Sequence, residues 1–504
     1  MLVGSRLAMA TLLLLPLGVH LFVADVTRSP AGHTELVSHG TGSRPRFADS
    51  TRRMNVSRER TRSWGSVVFD YDLDGDPDIL INRHLGTARF FKNDGGKFKR
   101  KRFRALRGPP RLNRYYDRHS CAWGEANHDG RPDLYCVSGA QKGLGTGPNQ
   151  LLIRKGSTFV DRSVRFGVTN RRGRGRSVNW LFANRDRALD LFIGNEVRAR
   201  FPNMLLRRSR NRFKRARAGV RRHMKTSASL WADWDRDGDP DLLVIAFDAP
   251  DTVAYRNTRS GFTRVSLGGV TGRAWTSGSW GDFNGDGWID LVMVSSSRLE
   301  IFSTRGGLHR VHSMSLAAGR AAAWIDVDND GDLDLFVVRG RTNGTNQKDF
   351  LLVRDRGIFK ARFGRSFAGP RGGDGDSVST GDLNGDGRVD LVVTNGHMRS
   401  RGRTTVLRNR TSAGNWLVLH LRAGNRNPVG FGSRVRVRVG SRYLNRFVTD
   451  GVGYRGQSDA TVHVGLGGRP RARVKVWWPN GESDCFTRSA NQHVIVDKGA
   501  HPCN

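Results

Sequence analysis

Asp326, Asp328, Asp330, Asp332 and Asp334 alternate along the chain, with Gly331 sixth in the row. An oxygen-seeking cation such as Ca²⁺ takes about six to eight oxygens around one point, and a tight loop can supply them. Side chains at positions 1, 3, 5 and 9 would turn inward, position 7 would offer its backbone carbonyl, and glycine at position 6 permits the sharp turn. Without a cation, carboxylates at this spacing repel one another. The chemistry implied is coordination of a hard divalent metal.

The pattern recurs. Asp70, Asp72, Asp74, Asp76 and Asp78 repeat it in full, as do Asp233, Asp235, Asp237, Asp239 and Asp241. Three sparser versions substitute some ligands. These are Glu125, Asn127, Asp129, Arg131 and Asp133; Asp282, Asn284, Asp286, Trp288 and Asp290; and Asp382, Asn384, Asp386, Arg388 and Asp390. At Arg131, Trp288 and Arg388 only the backbone carbonyl would ligate. A seventh copy, starting at Phe182, keeps only Asp186 and Asp190 and has Arg187 for the glycine. Six loops are therefore expected to bind Ca²⁺. The third is expected to replace the metal with Arg185 and Arg187. Loops with five carboxylates should bind more tightly than those with three. An EF-hand is excluded, because the twelfth position, Ile81 or Val337, is not a bidentate glutamate.

The loops start 44 to 57 residues apart, and each is framed by strands. A stretch often carrying Trp or Gly precedes the loop, as in Ser63-Trp64-Gly65 and Ser279-Trp280-Gly281. An apolar run follows, such as Leu242 to Ile245 or Leu391 to Val393, then a second strand, a tight turn and a third. Four strands per unit of about fifty residues, seven times over, reads as an all-β, seven-bladed β-propeller across residues 46–412. The ring should close by pairing Phe47 to Asp49 with the last strand of the seventh repeat, which removes an exposed sheet edge.

Beyond residue 412 the loops stop. Trp416 to Leu419, Val435 to Val439 and Val474 to Trp478 alternate as half-buried strands, so residues 413–498 read as a small antiparallel β domain with a short tail at 499–504. The loops and their second strands are similar to FG-GAP/VCBS repeats of integrin-type propellers. The C-terminal stretch resembles an ASPIC/UnbV domain through Asn415-Trp416-Leu417, Gly456-Gln457-Ser458, His463 to Gly467 and Trp478-Pro479-Asn480-Gly481. Together the architecture resembles the cartilage acidic protein family. The resemblance implies the propeller fold and Ca²⁺ that braces the blades.

Residues 1–24, with Arg6 before an apolar run from Leu7 to Leu17, read as a secretory signal or N-terminal anchor, and 25–45 as a polar linker. Export fits four cysteines, with Cys121–Cys136 and Cys485–Cys503 as the expected local pairs. The net charge is +38, and the seven loops hold 26 of the 46 acidic residues, so the remaining surface is strongly basic. Such a field draws anionic polymers, although no nucleic-acid motif organises it. Arg434, Arg436 and Arg438 should share one face of a strand. No catalytic motif is present, and the 14 histidines are scattered without metal-ligand spacing. Gly451 to Gly456 matches a dinucleotide fingerprint but lies in β context, so it reads as a turn. These features predict a secreted, calcium-stabilised binding or adhesion module for anionic polysaccharide or surface proteins, and not an enzyme. The alternative is an enzyme or maturation factor with its site at the propeller channel. A His, Glu or Tyr cluster at the channel mouth would favour that alternative.

Overall fold

The computed structural model describes residues 44–503, apart from 57–58, 85, 108–116, 140–147, 172, 185, 187, 197–200, 248–249, 259–260, 365–366, 368–372, 398–399 and 450–454. The expected signal segment, most of the linker, and Arg185 and Arg187 lie outside the described residues. So does most of the Gly451 to Gly456 stretch.

Seven four-stranded antiparallel sheets follow one another through residues 47–409 in a β-propeller-like arrangement. In the first, Ser63–Phe69, Asp78–Arg83, Arg89–Lys92 and Lys99–Lys101 pair in chain order. The inner strands touch in sequence order, and the seventh, Ser377–Gly381, touches the first. The outermost strand of the seventh sheet is Phe47–Asp49, with Phe47 opposite Asn409 and Asp49 opposite Leu407. The two ends of the propeller region thus share one sheet, as the repeat spacing predicts.

Inner strands such as Ser63–Phe69 and Arg118–Gly124 are buried along their whole length, because both faces meet neighbouring sheets. This explains the recurring Trp and Gly. A Cβ on Gly124 would lie 2.4 Å from the Trp180 ring of the next sheet, and one on Gly281 would lie 2.7 Å from Trp324. Each indole occupies the space its neighbour's glycine leaves open. Cys121 and Cys136 face each other across adjacent strands and are bonded, as are Cys485 and Cys503.

The C-terminal strands form two sheets. One holds Val462–Gly467, Asn415–Arg422 and Gln492–Asp497, and the other Arg442–Phe447, Arg434–Val439, Arg471–Trp477 and Ser483–Ser489. The expected antiparallel pairing needs one correction. Asn415–Arg422 and Gln492–Asp497 run parallel, with Leu417 opposite Gln492 and Arg422 opposite Asp497. The intervening strands carry the chain across to the other sheet and back, which a parallel pair requires and a hairpin cannot provide. Leu417, Val435, Val464 and Val474 pack between the two sheets in one core that runs on into Val67, Phe69 and Trp123 of the propeller.

Candidate metal loops and the channel they surround

Every loop joins an inner strand to the second strand of its sheet. Position 9 is the first residue of that second strand and is buried in all seven: Asp78, Asp133, Asp190, Asp241, Asp290, Asp334 and Asp390. One oxygen of each accepts a backbone N–H from the third strand or the turn after it, over 2.7–3.4 Å. Position 9 is thus a strand-bridging acceptor as well as a candidate ligand, a role the spacing alone did not reveal. It explains why the loop at Phe182 keeps Asp190 after losing its first ligand.

Position 1 is held from within the loop. The N–H of the position-6 glycine donates to Asp70, Asp233, Asp282, Asp326 and Asp382 over 2.7–3.2 Å. Those glycines have φ between 73° and 98°, which a side chain would resist. Asp70, Asp72 and Asp78 converge closely enough to share one ion. So do Asp233, Asp235 and Asp241, then Asp282, Asp286 and Asp290, and Asp326, Asp328 and Asp330. Among the described residues the loops at Glu125 and Asp382 show no such convergence, and neither does the loop at Phe182. In the third loop Asn184 and Asp186 bond each other at 3.1 Å, and Phe182 packs beside the core.

The donor set fits a hard cation. Asp326 Oδ1, Asp233 Oδ1, Glu125 Oε2, Asp72 Oδ1 and Asp241 Oδ2 are buried with no hydrogen-bond partner. Burial first, and neighbouring carboxylates second, push Asp233 up to about 6 and Asp326 up to about 7. Burial also carries Asp241 to about 8 and Asp78 to about 9, against the backbone N–H groups that favour their charge. Third-strand cations reach carboxylates at positions 3, 5 and 7: Lys92 bonds Asp72 and lies 3.0 Å from Asp74, Arg256 lies 2.5 Å from Asp235, and Arg354 lies 3.2 Å from Asp332, whereas among the described residues none pairs with the buried carboxylates at positions 1 and 9. The buried oxygens remain for a metal, and a hard oxygen-only donor set suits Ca²⁺.

The C-terminal region sits on the face that carries these loops. Gly465 N–H donates to Asp326 Oδ2 (3.0 Å), and the Asn445 amide donates to Asp282 Oδ2 (2.9 Å). His493 Nε2 lies 3.4 Å from Asp382 Oδ2, and His463 Nε2 donates to the Gly387 carbonyl at 3.0 Å. Burial works against the Asp382 charge, but His493 and the Gly387 N–H hold the carboxyl below its usual range. A Cβ on Gly465 would fall 2.3 Å from Asp326 Oδ2, so the Gly-Leu-Gly turn is required for this docking.

From the same region a finger enters the channel. Gln457 pairs by backbone with Ser66 and Val68, and its side chain spans both the N–H (2.9 Å) and carbonyl (3.3 Å) of Trp123. Arg455 ends 3.9 Å over the Trp64 ring. Gly65, at φ 106°, makes room, since a Cβ there would meet the Arg455 carbonyl at 2.2 Å. Past Trp64, at the end away from the loops, lies a cluster that sequence reasoning missed. His119 stacks on Trp64 at 4.6 Å, while His84 and His397 meet its edges at 5.0 and 5.3 Å. Asp117 accepts from His84 Nδ1 and His119 Nε2, both at 2.7 Å, and Asp376 holds His397 Nδ1 at 2.8 Å. Arg176 joins His119 to Glu196. Burial opposes the Asp117 charge, yet the two imidazoles hold that carboxyl well below its usual range. Burial, then Arg176, keeps His119 neutral. His84, Asp117 and His119 are close enough to share a metal. The guanidinium on the remaining His119 nitrogen takes the place where a metal-bound imidazole would carry its proton, so a cation does not fit. The signal was positional: all three histidines flank ends of repeat strands that converge on one end of the channel.

Comparison with known proteins places these parts. The FG-GAP-like repeat family matches residues 70–136, 233–293, 282–337 and 326–393, and the ASPIC and UnbV family matches 423–502. Human cartilage acidic protein 1 is 23% identical over 472 residues, spanning 83% of this chain and 69% of its own. The Xenopus tropicalis protein is 22% identical, spanning 86% and 72%. Among solved structures, BBS1N in complex with ARL6DN gives a TM-score of 0.43 at 10% identity over 72% of this chain and 96% of that chain. An Agrocybe aegerita lectin specific for non-reducing terminal N-acetylglucosamine gives 0.41 at 15% identity over 71% and 94%. Among the described residues no helix is long and apolar enough to cross a membrane.

Proposed function

Because the chain joins FG-GAP-like repeats to an ASPIC and UnbV region, we propose that it is a secreted, Ca²⁺-braced propeller that works as a binding or adhesion module for anionic polymers or surface proteins. Two disulfides fit an oxidising, extracellular setting. The observation that carries the reading is the placement of the loops. Asp282 and Asp326, each in a loop whose carboxylates converge, are covered by Asn445 and Gly465, so ions held there brace the seam between propeller and C-terminal region rather than meeting an outside ligand, and at Asp382 His493 makes the same junction directly. Ligands in these loops would be Asp70, Asp72 and Asp78; Asp233, Asp235 and Asp241; Asp282, Asp286 and Asp290; and Asp326, Asp328 and Asp330. What remains for recognition is a basic exterior. A glycan and surface-extract binding screen, run with Ca²⁺ and with EDTA, tests this. Retention of a polyanion or surface protein that weakens as the fold loosens in EDTA supports the reading, and no retention in either condition rejects it.

The histidine cluster at the channel end favours a second reading, an acid–base site on the axis. Its groups satisfy one another, however, and Arg455 closes the channel beneath them. Under the binding reading Asp117→Asn lowers stability and leaves ligand binding unchanged.

A further inference from the structure

The expected row of Arg434, Arg436 and Arg438 is half of a larger array. Across the sheet it faces Trp477, Lys475 and Arg473 on one side and Phe447, Asn445 and Tyr443 on the other, and Arg471 extends it. Alternate residues of neighbouring strands share a face, so six cations form a ladder two strands wide, with rungs about 4.8 Å apart and steps of about 6.6 Å. The opposite face, with Val435, Val437, Val474 and Val476, is buried in the core. The face is divided: Asn445 turns in to bond Asp282 and Arg434 lies near Asp233, whereas no carboxylate stands among the strand residues paired around Arg438, Arg471, Arg473 and Lys475. Arg434 is half-buried at the end nearest the Asp233 loop, whereas Arg438, Arg471 and Arg473 are exposed. Two rings order the array. Arg434 lies 4.1 Å over Trp477 and Lys475 5.0 Å, while Arg436 lies 5.4 Å and Arg438 6.0 Å from Tyr443. Stacked guanidiniums lose less freedom on binding an anion; Arg436 Nε and Arg438 Nε donate to Asn445 Oδ1 and the Gly440 carbonyl at 3.0 and 3.1 Å, which leaves their terminal amino groups for an anion.

We infer that this face is a docking track for a linear, sulfated or carboxylated polysaccharide, a deepening that rests on the binding-module reading above. A ladder two strands wide and about 20 Å long matches an extended polyanion better than a bilayer, which would call for a broad patch. Single-stranded nucleic acid would need free aromatic faces for its bases, and here cations already cover Trp477 and Tyr443.

The test measures binding of a heparin dodecasaccharide to three forms of the full chain across a salt series. One is wild type. The second carries Arg438→Gln, Arg471→Gln, Arg473→Gln and Lys475→Gln. The third removes the same charge elsewhere through Arg212→Gln, Lys214→Gln, Arg215→Gln and Arg217→Gln. The ladder variant should lose about 30-fold in affinity, the worth of roughly four exposed ion pairs. Its log–log salt slope should flatten by about 3, and the control should change by less than about 3-fold. Unchanged melting of the ladder variant, or the same trend in Arg473→Gln alone, separates binding from folding. Equal losses in both variants would overturn the track and leave the binding reading standing. Tighter binding to oligo-dT or anionic vesicles than to heparin would overturn the polysaccharide assignment. No binding of any polyanion by wild type would overturn the reading beneath it.

Discussion

Stripping divalent cations with EDTA and raising the pH from about 5 to about 9 should lower the melting temperature, and with saturating Ca²⁺ the trend should reverse. In the metal-free fold, burial and then crowding lift Asp70 and Asp326 to about 7, while burial lifts Asp290 to about 8 and Asp78 to about 9. A carboxyl raised above its unfolded value stabilises the fold fully below that value, near 4, and the contribution is lost as pH rises through the folded pKa values. The window here is therefore about 4 to 9. One aspartate displaced by about three units costs roughly 4 kcal/mol once ionised. Two loops treated this way would rival the 5–15 kcal/mol or so that holds an ordinary domain together. With Ca²⁺ the ionised form is the binding form, so protons compete and stability should climb with pH. Scanning calorimetry at pH steps, with EDTA and with Ca²⁺, reads both slopes. A melting temperature in EDTA that is flat or rises with pH would refute the argument that these carboxylates are held together uncompensated.

Gly465→Ala should cost about 1–3 kcal/mol, because the new methyl meets both Asp326 and the Asn329 backbone; earlier proteolysis of the C-terminal region would report the loosened seam. Asp190→Asn should leave Ca²⁺ stoichiometry unchanged, since Asp190 serves as an acceptor for the Arg208 N–H, whereas Asp326→Asn should weaken or remove one site in calorimetric titration. Replacing Cys485 and Cys503 by serine opens a link across 18 residues and should lower stability by roughly 3 kcal/mol in chemical denaturation.

The loops, their period and the pairing of Phe47–Asp49 with the last propeller strand were legible because each rests on local chemistry: alternating carboxylates, a glycine at φ > 0, and an unpaired sheet edge. The C-terminal cap was not. Gly465 meets Asp326 across 139 residues of chain, and nothing in an alternating strand pattern says which face a distant loop will cover. The second duty of position 9 was hidden for a similar reason, since Asp78 and Asn93 meet only once the second and third strands are in register. His84, His119 and His397 looked scattered because what they share is the end of the channel that their different strands reach, visible only when seven sheets are wrapped around one axis. The parallel pair Asn415–Arg422 and Gln492–Asp497 carries no sequence mark that distinguishes it from its antiparallel neighbours.

The central claim is that the aspartate loops hold Ca²⁺ and that the ions hold the fold. Isothermal titration of EDTA-stripped protein with Ca²⁺, with the melting temperature followed at each step, tests it most directly. At least four ions per chain should bind, one for each converged loop at Asp70, Asp233, Asp282 and Asp326, with weaker uptake at Glu125 and Asp382. The melting temperature should rise with Ca²⁺ by mass action. Two or fewer ions per chain, or melting indifferent to EDTA and Ca²⁺ alike, would contradict it.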